Sequence, residues 1–514
     1  MVQPFRFGEI NLTAGGDPTH SSGSREAPFC IAILGDFGGH SRRTRPNLGI
    51  ADRRPVNVDR DNFDRVMANF GVEVNLEIDA DRSLQLRFSE LEDFHPDRLI
   101  ENASIFSKLR DLRARVADPE TFPAVAREFG LQASDPAART REAATVQGPS
   151  VSSVVSNIAT GSLLDATVER TEQGREKISQ PSRTANELDG FVRRVVAPHL
   201  VAATDPRQAE TLAMLDRALS VQMRALLHVP AFQRLEAAWR AVYFLVRRIE
   251  TGAQLKLYLV DVSREELEAD LNASHNLTGT GAYQLLVEKS VATPGADPWA
   301  VIVGNFEFGP TRADAELLGK LAKVAQSAGA PFLAAASPRL LGCESLSEAP
   351  HPRQWTLPPD PESVLAWAAL RALPEAPWLG LALPRFLLRL PYGKETDSIG
   401  SFDFEEMAQP PAHEDYLWGN PSFACALLLA QSFSDSGWDM RPGIHNEIVG
   451  LPLHVYERDG ESELKPCAEA LLTEDTAECI LERGLMPLVS VKGQDVVQVM
   501  GLRAVTQLLR KEHS

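Results

Sequence analysis

The stretch "FCIAILGDF" is apolar without alternation and reads as a buried strand. It ends in Gly35-Asp36-Phe37-Gly38-Gly39. Beyond it, "DRDNFDRVMANF" places Phe63, Val66, Met67 and Phe70 on one helical face. "VEVNLEI" and "LQLRFSEL" then read as a strand pair. "HPDRLIENASIFSKLRDLRARV" predicts one helix opened by Pro96, with Leu99, Ile100, Ile105, Phe106, Leu109 and Leu112 at helical spacing. Further along, "LAMLDRALSVQMRALLHVPAFQRLEAAWRAVYFLVRRI" predicts two helices that meet at Pro230. One face of the second carries Phe232, Leu235, Trp239, Val242, Val246 and Ile249, and Glu236 with Arg240 forms an i,i+4 pair on another. "LKLYLVDV", "WAVIVGNFEFGP" and "PFLAAAS" read as strands that alternate with the helices "REELEADL" and "DAELLGKLAKVAQSAG". The second strand is expected to turn at Gly304-Asn305-Phe306, as the first turns at Gly35. "LPRFLLRLPYG" is a further apolar segment. "NPSFACALLLAQSF" is a buried helix with Asn420 as N-cap and Pro421 in the first helical position. The alternation predicts an α/β fold with parallel pairing.

Periodicity fades between about Gln132 and Leu188, where Ala, Ser, Thr, Gln, Arg and Glu dominate. The chain therefore divides into an N-terminal arm (1–26), a first domain (27–131), a linker (132–186) and a second domain (187–514). One island in the linker, "SLLDATVER" near 162–170, sets Leu163, Leu164 and Val168 on one side of a short helix. Two readings stand: a helix packed on its own domain, or a docking peptide on a tether. The arm alternates Phe5, Phe7, Ile10 and Leu12, which suits either an exchanged strand or a local edge strand.

With 514 residues and 44% hydrophobic content, the chain can bury a large core without a staple. Its net charge of −18 argues against nucleic acid as the main partner and against anionic membrane surfaces. Five scattered cysteines form no disulfide framework or zinc spacing; Cys30, Cys343 and Cys425 read as buried hydrophobes. No apolar run is long enough for membrane insertion, and the N-terminus has no leader pattern. The default location is the cytoplasm.

The glycine turn after the first strand invites a phosphate reading. A P-loop, however, needs Lys then Ser or Thr after the last glycine, and His40-Ser41 stands there. A dinucleotide turn must open a helix, and Pro46 with Gly49 follows instead. HExxH and G-x-S-x-G are absent from the sequence. His413, Glu414 and Asp415 are adjacent and read as a solvated loop rather than a ligand set. "GCES" at Cys343 has no assignable partner. No catalytic residue, cofactor or metal is expected. Arg42, Arg43 and Arg45 after the turn suggest an acidic partner surface.

Together, these segments carry a family resemblance. "PFCIAILGDFGG", "VNVDRDNFDRVMANF", "LQLRFSELEDFHPDRLIE" and "LRDLRARV" resemble the small subunit of the type VI secretion contractile sheath (TssB, or VipA). "LLHVPAFQRLEAAWRAVYFLV", "VIVGNFEFGP", "PFLAAASPRLLG", "LGLALPRFLLRLPYG", "EDYLWGNPSFACALLL" and "LPLHVY" resemble the large subunit (TssC, or VipB). The resemblance implies two sheath-subunit-like domains fused by a flexible linker. It implies a mechanical role in a bacterial cytoplasm, with other sheath subunits, an Hcp inner tube, baseplate proteins and a ClpV-type unfoldase as partners. "SLLDATV" resembles the segment that the unfoldase engages, which favours Leu163, Leu164 and Val168 as a docking helix. Large subunits continue for a further domain-sized segment, so a strand-swapped lattice contact is expected to be missing or supplied by another chain. That expectation leaves open a non-polymerising adaptor or cap at the baseplate or sheath end.

Overall fold

The computed structural model describes residues 5–7, 10–12, 27–39, 49–79, 82–129, 205–293, 296–358 and 360–506. The chain divides into two units, Met1–Lys108 with Asp216–Ser514, and Leu109–Leu215.

In the first unit, β1 (Phe5–Phe7) and β2 (Ile10–Leu12) pair antiparallel, with Phe5 opposite Leu12 and Phe7 opposite Ile10. β3 (Phe29–Gly35) is buried along its whole length. β4 (Val56–Val58) leads to α1 (Phe63–Phe70), whose buried residues are Phe63, Val66, Met67 and Phe70, the face expected from spacing. β5 (Val72–Asp79) and β6 (Arg82–Phe88) form the expected strand pair. α2 (Pro96–Asn102) does open at Pro96, but the long helix predicted after it is broken: Ala103 is extended, a 3₁₀ turn follows, and α3 (Ser107–Ala117) starts afresh. Phe106, in that turn, is fully buried.

In the second unit, α3 and α4 (Phe122–Glu128) bury Val116, Phe122, Val125 and Ala126 with Leu215 of α5 (Pro206–Leu227). Gln208 donates from Nε2 to the carbonyls of Val116 (2.8 Å) and Ala117 (3.1 Å), satisfying acceptors that the end of α3 leaves open.

Back in the first unit, α6 (Pro230–Arg248) starts with Pro230 in its first turn and buries the predicted apolar face. β7 (Leu255–Asp261), α7 (Arg264–Asn272), β8 (Trp299–Phe308), α8 (Arg312–Ala328), β9 (Phe332–Ala336), α9 (Pro361–Arg371) and β10 (Leu379–Leu383) alternate as expected for α/β. The short pair β11 (Phe386–Leu387) and β12 (Trp418–Gly419) precedes α10 (Pro421–Ser436), where Asn420 accepts from the Ser422 amide as N-cap. β13 (Glu447–Ile448), the hairpin β14 (His454–Arg458) and β15 (Glu461–Lys465), α11 (Glu474–Glu482), β16 (Met486–Ser490) and β17 (Val497–Val499) complete the described chain.

Nine strands form one sheet in the order β13-β17-β16-β10-β9-β8-β3-β7-β4. The six from β16 to β7 are parallel; β4 and β17 run against them, and β13 pairs antiparallel with β17 at the far edge. Strands of both sequence segments share this sheet: β3 lies between β7 and β8. Cys30, Ala32 and Leu34 face the α8 side of the core. The alternate residue Phe29 stacks on Phe433 of α10 at 4.8 Å. Helices thus cover both faces, which is why β3 reads as an unbroken apolar run.

Gly304 corrects the expected turn. β8 continues through it to Phe308. A Cβ there would lie 2.5 Å from the ring of Phe332, so this glycine serves close packing against β9 rather than a reversal.

Candidate functional site: the joint between the segments

Trp239 of α6 is fully buried among rings of the first segment: Phe37 at 5.8 Å, Phe63 at 5.7 Å and Phe70 at 5.6 Å, all edge-on. Its Nε1 donates to the Phe37 carbonyl at 2.9 Å. This joint buries large aromatic area and gives the indole its one required partner.

The glycine turn sits beside it. The amides of Phe37 and Gly38 donate to Oδ1 of Asp261 at 2.9 and 3.0 Å. The cradle that suggested a phosphate therefore holds the chain's own carboxylate, delivered by the end of β7. Arg53 bonds the Asp261 carbonyl and reaches Glu266 at 2.6 Å, which fixes the same corner. Gly39 has φ +68°, and a Cβ on it would lie 2.2 Å from the Glu73 carbonyl oxygen. Arg42, Arg43 and Arg45 lie outside the described residues.

Charge is buried next to this joint. Arg389 donates from Nε to Glu236 Oε1 at 2.8 Å, and from Nη1 and Nη2 to Glu406 at 2.7 and 3.0 Å. Arg240 adds a bond to Glu236 at 2.6 Å and another to the Tyr392 hydroxyl at 2.9 Å. Glu236 and Glu406 are 0% and 1% exposed. Burial pushes the Glu406 carboxyl up, but the Arg389 charge, the nearby His228 and the bonds from Arg389 and the Tyr392 amide outweigh it and bring it down to about 2. Tyr392 is pushed up to about 12, burial being the largest cause. Two carboxylates and two guanidinium groups thus tie α6 to the segments around Arg389 and Glu406. Helix periodicity marks Glu236 and Arg240 as a pair on a face other than the apolar one, without a third partner. The signal for the third was Arg389 itself, an arginine inside the apolar "FLLRLPYG".

Along the parallel strands in chain order the sheet reads 2-1-3-4-5-6, so winding reverses between β3 and β8. A cleft of about 1100 Å³ opens near the carboxyl ends of these strands, lined in part by Asp36, Gly39, Asn305, Arg234, Arg385 and Trp418. In its wall, His413 is no part of a solvated loop. Its ring stacks on Trp418 with centroids 5.0 Å apart, Lys465 donates to Nδ1 at 2.9 Å, and Nε2 lies 3.1 Å from Glu469. An ammonium can only donate, so the ring proton sits on Nε2 and points at Glu469. Arg385 also bonds Glu469. Burial pushes the Glu469 carboxyl up, yet His413 and Arg385 bring it down to about 2. Atoms of His413, Glu414 and Glu469 come within 4.8 Å of one another, a ligand-like spacing, but both ring nitrogens and the Glu469 carboxylate are already bonded to protein groups.

Burial pushes the thiols of Cys30 and Cys425 up to about 12 and those of Cys343 and Cys467 to about 11, which suits packing rather than nucleophilic attack. Leu163, Leu164 and Val168 lie outside the described residues. Phe5, Phe7, Ile10 and Leu12 fall on β1 and β2, and β2 runs beside Ala376–Trp378. Among the described residues, no helix is long and apolar enough to cross a membrane.

Residues 209–506 match the EvpB/VC_A0108 tail sheath N-terminal domain (VipB). Residues 9–121 match the VipA family, described as type VI secretion system, VipA, VC_A0107 or Hcp2. The type VI secretion system sheath protein TssC1 of Pseudomonas aeruginosa is 31% identical over 342 residues, which cover 65% of this chain and 68% of the relative. The sheath protein TssB1 of the same organism is 26% identical over 103 residues, 19% of this chain and 59% of the relative. The VipB match spans more than half of the chain and the VipA match the stretch before it; the chain belongs to the type VI secretion sheath proteins, as a TssB-like and a TssC-like segment fused in one polypeptide.

Proposed function

We propose that this chain is a structural subunit of a type VI secretion contractile sheath, working in a bacterial cytoplasm and assembling around an inner tube to drive contractile injection. The observation that carries the reading is the position of β3. The TssB-like strand is seated between two TssC-like strands and locked by Trp239, so one chain supplies what a pair of subunits would. The buried ion network and the raised thiols favour a rigid element over a reactive one. Its partners are other sheath subunits, an Hcp-type tube, baseplate proteins and a ClpV-type unfoldase that takes Leu163, Leu164 and Val168. The arm carrying Phe5, Phe7, Ile10 and Leu12 joins neighbouring subunits by strand addition.

Electron microscopy of the purified chain, alone and with the tube protein, tests this. Tubules of sheath diameter are expected. Small, closed particles that hold baseplate proteins and never lengthen would mark the chain as an adaptor or cap instead. Binding of the unfoldase to peptide 160–172, lost on Leu164→Asp, tests the docking helix; equal binding by both peptides rejects it.

A further inference from the structure

The hairpin of β14 and β15 stands outside the large sheet as a two-stranded ribbon. Its turn is Asp459-Gly460, with φ of +53° and +83°, a two-residue loop with both residues left-handed. The flanking pair Arg458–Glu461 therefore exchanges backbone hydrogen bonds, and in alternation so do Tyr456–Glu463 and His454–Lys465. The pairs between them do not. Val455 and Glu457 on β14, with Ser462 and Leu464 on β15, aim their N–H and C=O groups outward, and among the described residues no backbone group takes them.

The two faces of the ribbon differ. The inner face is anchored: the Tyr416 hydroxyl lies 2.7 Å from Nδ1 of His454, Lys465 reaches His413, and the Tyr456 hydroxyl donates to Glu463 at 2.7 Å. The outer face carries Val455 directly opposite Leu464, 55% and 44% exposed, with Glu457 and Ser462 beside them. An exposed apolar pair on an unpaired edge is a template for a further strand.

Charge selects the occupant. Arg458 turns to Glu463 at 3.7 Å, while Glu457, Asp459 and Glu461 make no ion pair among the described residues. A second copy of this hairpin would bring like charges together, which costs stability across a strand pair. Beside Val455 and Glu457, a strand with an apolar residue and, two positions on, a lysine or arginine meets both needs.

We infer that the outer edge of β14 is a docking site for an extended basic segment of a partner protein, which adds as a third strand with an apolar side chain beside Val455 and a cation beside Glu457. The surface belongs to the single chain, so its test does not depend on tubule growth.

The full chain is titrated with the peptide Ac-TVTKTVTKT-amide and with two controls: Ac-TVTETVTET-amide, which reverses the charge, and Ac-TVTKPVTKT-amide, which keeps it but cannot pair as a strand. The first should bind at least tenfold more tightly than either control and slow amide hydrogen exchange at Val455 and Glu457. Glu457→Lys should turn the preference toward the glutamate peptide. Equal binding of the proline peptide would mean charge attraction without strand addition and overturns the inference. So do failure of the first peptide to bind, protection confined to other segments, and an unchanged preference in Glu457→Lys.

Discussion

Replacing Arg389 by methionine isolates the buried ion network. The change keeps an unbranched apolar stem and removes the charge that both Glu236 and Glu406 share. Glu236 keeps Arg240, but Glu406 loses its guanidinium and retains His228, whose Nε2 is 3.7 Å away, and the Tyr392 amide. Stranding one buried carboxylate costs about 3–5 kcal/mol, so the variant should unfold at a clearly lower urea midpoint at pH 7. The pH dependence separates this cause from lost packing. In the parent, the Glu406 carboxyl lies at about 2 against an ordinary 4.5. A depressed folded value contributes stability above the ordinary one and loses it as pH falls toward 2. At 1.36 kcal/mol per unit, those ~2.5 units amount to about 3 kcal/mol lost between roughly pH 5 and pH 2. In the variant, burial no longer has its main opponent and the carboxyl moves upward. Acidification from pH 7 to pH 5 should then stabilise the variant relative to its own pH 7 value. Urea denaturation followed by Trp fluorescence at several pH values reads both signs. A loss under about 1 kcal/mol at pH 7, or parallel pH profiles for parent and variant, would refute the reasoning.

Four further outcomes follow from the geometry. Gly39→Ala meets both a left-handed backbone and the Glu73 carbonyl, and should cost more than about 1 kcal/mol by chemical denaturation. Asp261→Ala leaves the Phe37 and Gly38 amides without their acceptor, at about 1–3 kcal/mol, whereas Asp261→Asn should recover part of it. Trp239→Ala opens the joint between the segments and should cost about 3–5 kcal/mol, seen as a lower thermal midpoint. Iodoacetamide at pH 8 should modify Cys479 first, as it is the cysteine with intermediate exposure, while Cys30, Cys343, Cys425 and Cys467 react only after unfolding, as peptide mass spectrometry would show.

Elements with one strong local rule were legible in the sequence. The faces of α1 and α6, the Pro230 break and the Asn420 cap depend on residues within a turn or two of one another. What spacing alone did not reveal depends on distant neighbours. Gly304 looks like a turn until Phe332 is seen packed against it. The glycine turn looks like an anion site because its amides do bind a carboxylate, but Asp261 lies 224 residues from Phe37. His413 looked solvated because its two partners, Lys465 and Glu469, are supplied by β15 and the chain just beyond it. Glu236 was recognised with its helical neighbour Arg240, whereas Arg389 is 153 residues away.

The place of β3 between β7 and β8 also sets an order of events during synthesis. Phe37 leaves the ribosome 224 residues ahead of Asp261. At about 5–20 residues per second that is a wait of roughly 10–45 s. For this interval "FCIAILG" has neither of its neighbouring strands, and an unpaired apolar strand is the kind of segment that aggregates or recruits a chaperone. Fusion fixes the ratio of the two segments at one to one and keeps them close, yet it cannot shorten this wait. Slowing translation after residue 130 should therefore lower the soluble yield of the fused chain more than that of its second segment expressed by itself.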